Sequence, residues 1–165
     1  MKYLTLVRHA KSSWKAVDLP DFERPLNKRG KRDLPALCER LIAFSAQPDR
    51  LLFSPATRTR LTAERIIERL SIPLEHCQEC PDCYEACTTA LLEQIQIQPD
   101  SINHLMLVGH NPGLQDLGSF LLGDTVPHFP TSAVLQLQLD IDHWSDCAPQ
   151  TGRCLRLDYP GLHAN

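Results

Sequence analysis

The amino-acid sequence predicts an α/β protein, a three-layer sandwich around a mostly parallel central sheet. Two observations carry this. First, Leu-Val-x-His occurs twice, as Leu6-Val7-Arg8-His9 and Leu107-Val108-Gly109-His110, each closing a short apolar run that breaks into a polar loop. Such a run reads as a strand buried on both faces, the usual situation in a parallel sheet. Second, between the apolar runs hydrophobic residues recur at helical spacing, so strands and helices alternate along the chain.

The elements follow in order. Residues 3–7 form the first strand, and the polar span 11–27 is long for a loop, which points to function rather than disorder. Leu34, Leu37, Cys38, Leu41 and Ile42 share one face of a helix. Pro35 is expected in its opening turn, with the helix beginning near Asn27 or slightly later. Arg50-Leu51-Leu52-Phe53 is a second strand, and Ala63, Ile66, Ile67 and Leu70 mark a second helix. Leu91, Leu92 and Ile95 mark a third helix; residues 105–108 are the next strand, and Leu114, Leu117 and Leu121 mark a fourth helix. Residues 133–139 alternate with period two from Val134, which predicts a strand with one wetter face, at an edge of the sheet. Residues 154–157 are a weaker strand candidate. With no internal repeat or linker, residues 1–165 read as one domain.

Composition excludes several classes of function. The formal charge of −3 lacks the basic excess of a nucleic-acid binder. No apolar stretch approaches membrane-spanning length, and the start is too short in apolar residues for a signal peptide, so a cytoplasmic protein is expected. Seven cysteines, an odd number, cannot form a complete set of intrachain disulfides, and reduced thiols are the default. A monomer is the simplest expectation.

In open α/β sheets, ligands bind beyond the carboxyl ends of the strands. If the two Leu-Val-x-His strands are neighbours, His9 and His110 enter one crevice with Arg8 beside them. Ser54-Pro55 and Asn111-Pro112 each read as a capping side chain followed by proline at the first helical position. Both helices would then aim their amino ends, which favour anions, at that edge. Arg58 falls in the first turn of the helix opened by Ser54-Pro55, whereas Arg60, Arg65 and Arg69 read as a solvated face. Arginine forks and imidazolium donors suit the oxygens of a phosphoryl group in transfer, and a neutral histidine nitrogen is a competent nucleophile toward it. Either histidine alone would more often be an ordinary strand-end residue; together with the arginines they read as catalytic.

At this point the chain resembles a family. Leu6-Val7-Arg8-His9-Ala10, Ser54-Pro55-Ala56-Thr57-Arg58 and Val108-Gly109-His110-Asn111-Pro112 look like the three signatures of the histidine phosphatase superfamily. Residues 24–30 and 129–133 are similar to its small SixA-type branch. The resemblance runs from Lys2 to about Leu139. It implies a phosphoglycerate mutase-like fold and a metal-independent, cofactor-free phosphatase with His9 as nucleophile and Arg8, Arg58 and His110 completing the phosphate pocket. For the SixA-type branch it further implies a phosphohistidine protein, such as a phosphorelay histidine domain, as the substrate. A small phosphomonoester is the alternative. Ala10 stands where the family motif has glycine. Lys15, where mutase-type relatives carry asparagine, is a candidate phosphate donor.

Glu85 lies where larger relatives place an acidic proton donor, and it reads equally as a general acid or an ordinary loop carboxylate. A weak or absent acid suits a phosphoramidate, whose imidazole leaves more easily than an alkoxide. With no sizeable insertion to form a lid, the site is expected to be open to a protein. Lys11, Arg24 and Arg29 are rim cations, either drawing a partner or simply solvated. A competing reading comes from Cys77, Cys80, Cys83 and Cys87, whose spacing matches half of a bacterial ferredoxin motif, with His76 adjacent. Thr88 stands where ferredoxins carry proline, no second motif exists, and Cys38, Cys147 and Cys154 are scattered. A cysteine-rich loop with no part in the chemistry is the simpler account, and metal binding or redox sensing would be an addition to the phosphatase site.

Overall fold

A computed structural model describes residues 1–163. The order is β1 (Lys2–Arg8), α1 (Lys28–Ala43), β2 (Arg50–Phe53), α2 (Thr57–Leu70), β3 (Cys77–Glu79), α3 (Thr88–Gln96), β4 (His104–Gly109), α4 (Gly113–Leu122), β5 (Val134–Leu139) and β6 (Gly152–Asp158), with short 3-10 turns between. The six strands form one mixed sheet in the order β3-β2-β4-β1-β5-β6. The first four are mutually parallel, and β5 runs antiparallel to both of its neighbours, β1 and β6.

Because side chains alternate across a strand, each central strand feeds two cores at once. Leu4, Leu6, Leu52, Leu105, Leu107 and Leu135 face α3 and α4. Val7, Leu51, Met106, Val108 and Val134 face α1 and α2. That two-sided burial is why these strands read as near-continuous apolar runs. The sandwich is therefore helix, sheet, helix, as expected from the sequence.

Four expectations need correction. Residues 134–139 do not form an edge: β5 lies between β1 and β6, and the true edges are β3 and β6. Of its two polar positions, Gln136 is 9% exposed and Gln138 is half-buried. Pro35 sits two turns inside α1 rather than in its opening turn. Both Pro35 and Lys31, whose carbonyl goes without an intrahelical donor there, face solvent, so water can satisfy the oxygen. Ile42 is 42% exposed and leaves the buried face of α1. Strand β3, three residues long in the cysteine-rich segment, gave no apolar signal because it is an exposed edge.

The span 11–27 closes on itself. Ser12 bridges Leu26, Ser13 N–H donates to Pro25 O (2.8 Å) and Asn27 N–H to Lys11 O (3.0 Å). Asn27 then caps α1 by accepting from Gly30 N–H (2.9 Å). Gly30 is required by this approach, since a Cβ there would collide with the Lys11 carbonyl. Gly30→Ala should cost about 1–3 kcal/mol through overpacking, lowering the Tm by roughly 3–10 °C. Thermal unfolding followed by circular dichroism checks this, and an unchanged Tm would show that the loop shifts freely.

Candidate active site

The two histidines meet because their strands are adjacent and in register. β1 pairs with β4 so that Arg8 lies opposite Gly109, and His9 N–H donates to Gly109 O (3.1 Å). His9 and His110 therefore leave the sheet side by side, ring centroids 5.4 Å apart. Arg8 reaches the same point and donates through Nη1 to Phe129 O (3.2 Å). Ser132 N–H donates back to Arg8 O and His9 O, fixing the turn of the chain here. Thr62 ties in the neighbouring helix: its Oγ1 accepts from Ala10 N–H (3.0 Å) and donates to Arg58 O (2.8 Å). Arg58, the second residue of α2, is 6% exposed and aimed into the cluster.

The hydrogen bonds decide which nitrogens are available. His9 Nδ1 lies 2.7 Å from Ala10 O. A carbonyl only accepts, so Nδ1 carries the proton and Nε2 keeps its lone pair. Burial, joined by the neighbouring His110 and arginine charges, pushes the His9 pKa down to about 3, so the ring is neutral at physiological pH. His110 Nε2 faces Ser54 Oγ at 2.7 Å. Burial first, then Arg58, lowers the His110 pKa to about 4. His110 is thus a neutral ring, although a phosphate dianion beside it would favour protonation. Arg8 Nε, Arg58 Nε and His110 Nδ1 are buried and bond to nothing within the protein. These are nitrogens of the kind an anion's oxygens satisfy.

Asp21, unremarked in the sequence, belongs to this cluster. Its backbone oxygen accepts from Arg58 Nη1 (2.7 Å) and its Oδ2 from Arg58 Nη2 (3.0 Å). Tyr84 Oη donates to the same Oδ2 (2.6 Å), and Arg24 donates twice to Oδ1. The Tyr84 bond, followed by those of Arg58 and Arg24, holds the Asp21 carboxyl far below the usual carboxylate range. Asp21 grips one side of the Arg58 fork and leaves the Nε edge free, so it orients the guanidinium. Only the fold could reveal this, because Asp21 arrives from the loop before α1 with no local signal.

Other expectations are rearranged. Ser54 is not the N-cap of α2, which is Ala56: its hydroxyl accepts from Ala56 N–H (3.4 Å) just ahead of the helix and pairs with His110. Pro55 accordingly lies outside the helix. At the second site α4 begins at Gly113, but Asn111 Oδ1 does accept from Gln115 N–H (3.2 Å), serving the end of the helix from outside it. Arg24 is no rim cation. It is 7% exposed, bonded to Ser12 Oγ (2.7 Å) and stacked under Trp14, 3.5 Å from the ring centroid. Lys15 is exposed, and its side chain joins none of the cluster's hydrogen bonds. Glu85 is exposed at φ 51°, outside the hydrogen-bonded cluster. It does line a cavity of about 500 Å³ together with Thr88, His110, Asn111 and Asp116. Arg60 and Arg69 pair with Glu64 and Glu39 on the solvent side, as read from the sequence.

The four cysteines do not meet at one point, although Cys80 and Cys83 are side-chain neighbours. Cys80 and Cys83 are buried in the core beneath α3, Cys77 is half-buried, and Cys87 is exposed. Among the described residues no three metal-ligating side chains come together, and these cysteines are free thiols. No helix among the described residues is long and apolar enough to cross a membrane.

Comparison with known proteins agrees with this geometry. The profile of the histidine phosphatase superfamily (branch 1) matches residues 4–104. An uncharacterised chloroplastic protein of Arabidopsis thaliana is 30% identical over 157 residues, covering 90% of this chain and 72% of that protein. An uncharacterised protein of Mycobacterium tuberculosis is 29% identical, covering 87% and 92%. Among solved structures, the Agrobacterium tumefaciens protein assigned as phosphohistidine phosphatase SixA superposes with a TM-score of 0.82 at 25% identity, over 96% of this chain and 98% of that one. A protein histidine phosphatase SixA bound to tungstate shares the fold at 21% identity, TM-score 0.83, over 98% and 99%. With the family profile matching residues 4–104 and the structural match spanning the sandwich, the chain belongs to the histidine phosphatase superfamily and is of the SixA type.

Proposed function

We propose that this protein is a phosphohistidine phosphatase that works through its own phosphohistidine intermediate. The observation that carries the reading is the state of His9: buried, neutral, with Nδ1–H on Ala10 O and Nε2 unprotonated. Nε2 attacks phosphorus while Arg8, Arg58 and His110 hold the oxygens. Water then breaks the P–Nε2 bond of phosphorylated His9. The cations needed for the phosphoryl oxygens are side chains of this chain, so no metal or cofactor enters the scheme.

The substrate class rests on the acid. The carboxylate within the cluster, Asp21, is held ionised by Tyr84, Arg58 and Arg24, so it has no proton for a departing alkoxide. An imidazole leaving group does not need one of that kind. The partner is then a phosphorylated histidine on a protein, with the enzyme acting as a cytoplasmic monomer formed by residues 1–165. A second reading, a phosphatase of small phosphomonoesters, draws on the cavity beside His110 with Glu85 on its wall as the acid.

The two readings separate in one experiment. Release of phosphate is followed, in chelator, from a phosphohistidine protein and from a panel of phosphate esters, with wild type and Glu85→Gln. We expect the phosphohistidine protein to be preferred by at least about tenfold in kcat/KM, with Glu85→Gln within about threefold of wild type. Preference for an ester combined with a large loss in Glu85→Gln would overturn the reading in favour of the second.

A further inference from the structure

We propose that Tyr84 is the residue that recognises the leaving group, accepting the remote ring N–H of a protonated phosphoimidazole. This deepens the phosphohistidine reading and rests on it.

Four rings run outward from the buried nucleophile in edge or tilted contacts. His9 to His110 is 5.4 Å, His110 to Tyr84 5.5 Å and Tyr84 to Phe22 5.1 Å between centroids. His9 lies at the floor, 6% exposed, and Phe22 at the mouth, 39% exposed. A nucleophile at the floor attacks phosphorus from below, and in-line displacement sends the leaving group toward the mouth. Tyr84 stands there, two hydrogen bonds from the Arg58 guanidinium through Asp21 Oδ2.

The polarity of the phenol is set by its partner. Tyr84 Oη gives its proton to Asp21, whose two oxygens already accept from Arg58 and twice from Arg24. Burial and this bond raise the Tyr84 pKa to about 12, so the phenol keeps its proton at neutral pH. With the proton committed, Oη offers lone pairs to the cleft. An N–H suits it, and an ester's alkyl group does not.

The chemistry of the P–N bond gives that contact its effect. In a phosphoimidazole protonated on its second nitrogen, His9 Nε2 forms the new P–N bond and the old one breaks. The bonding pair returns to the substrate nitrogen. The ring departs as neutral imidazole, still carrying its proton on the other nitrogen, so nothing need be delivered to the leaving atom. Hydrogen bonding to the cationic form favours that form, and so keeps substrate reactive at a pH where it would otherwise lose the proton. The protein already uses this arrangement on its own side: Ala10 O holds the Nδ1–H of His9 at 2.7 Å, which keeps phosphorylated His9 in the same labile state. Tyr84 Oη does for the substrate ring what Ala10 O does for the nucleophile.

The test is Tyr84→Phe, which keeps the ring contacts to Phe22 and His110 and removes only the oxygen. Kinetics are measured on a phosphohistidine protein and on a phosphoserine peptide across pH 6–9. We expect kcat/KM for phosphohistidine to fall at least about tenfold more than for phosphoserine, with the alkaline limb of the phosphohistidine profile moved toward lower pH. Equal losses on both substrates, or coincident alkaline limbs, would overturn the proposal while leaving the phosphohistidine reading standing. A wild type that hydrolyses phosphoserine but not phosphohistidine would overturn both.

Discussion

Replacing His9 by alanine should lower kcat/KM by about 10⁴-fold or more, because it removes the atom that forms the covalent bond rather than one that assists it. The fold should survive. His9 makes its hydrogen bonds to Ala10 O and Gly109 O, and the second uses the backbone N–H, which alanine retains. Wild type quenched in alkaline denaturant, where a phosphohistidine survives, should carry phosphate on Nε2, since Nδ1 is committed to Ala10 O. Phosphate found on Nδ1 would overturn the choice of attacking nitrogen, and activity within about tenfold of wild type in His9→Ala would exclude His9 as nucleophile. The pH behaviour follows with a definite sign. A histidine whose pKa is pushed down to about 3 binds its proton only below that value, so the nucleophile stays competent throughout the range above it. An NMR titration of the His9 ring should be flat from pH 8 to 5, where an ordinary histidine would titrate near its usual 6.5. A midpoint near 6.5 would contradict the burial argument.

Arg58→Lys should lower kcat/KM by about 10²–10³-fold although the charge is kept. Lysine offers a single ammonium at the end of a flexible stem. It cannot hold Asp21 on one side while presenting a second edge to phosphate, as the guanidinium does. Inhibition by inorganic phosphate should weaken in parallel, since the same oxygens are held in product as in substrate. Circular dichroism should show an unchanged fold, because Arg24 and Tyr84 still hold Asp21 in place. A variant with more than about half the wild-type activity would mean that charge alone suffices at this position. The loss in Arg58→Lys should also exceed that in Tyr84→Phe, because a phosphate ligand serves every substrate and a leaving-group contact only some.

Much of this was legible without coordinates. The strands ending at His9 and His110 announce themselves because both faces of a central parallel strand are buried, leaving an apolar run with an abrupt polar end. The helices show their periodicity because one face of each packs on the sheet. Arg58 is identified by its short distance in sequence from a strand end. Local chemistry misled where it had two possible uses. Ser54 followed by proline looks like a cap, yet the helix is capped at Ala56 and the Ser54 hydroxyl also serves His110. Arg24 looks like a surface cation, yet it is the buried post that holds the loop before α1. The period-two pattern of β5 looks like an edge, but alternation reports polarity and not position in the sheet.

What the sequence determined by itself is the set of short-range facts: the helices, the strands other than β3, and the residues at the carboxyl ends of the central strands. These depend on spacing along the chain, and spacing is written in the sequence. What only the tertiary structure decided is which distant residues share a site and in what state. Asp21 meets Arg58 and Tyr84 from 37 and 63 residues away. The neutral state of His9 and His110 is likewise a product of burial and neighbouring charge. Both are properties of the packed surroundings, and the folded chain creates those surroundings by bringing remote segments together.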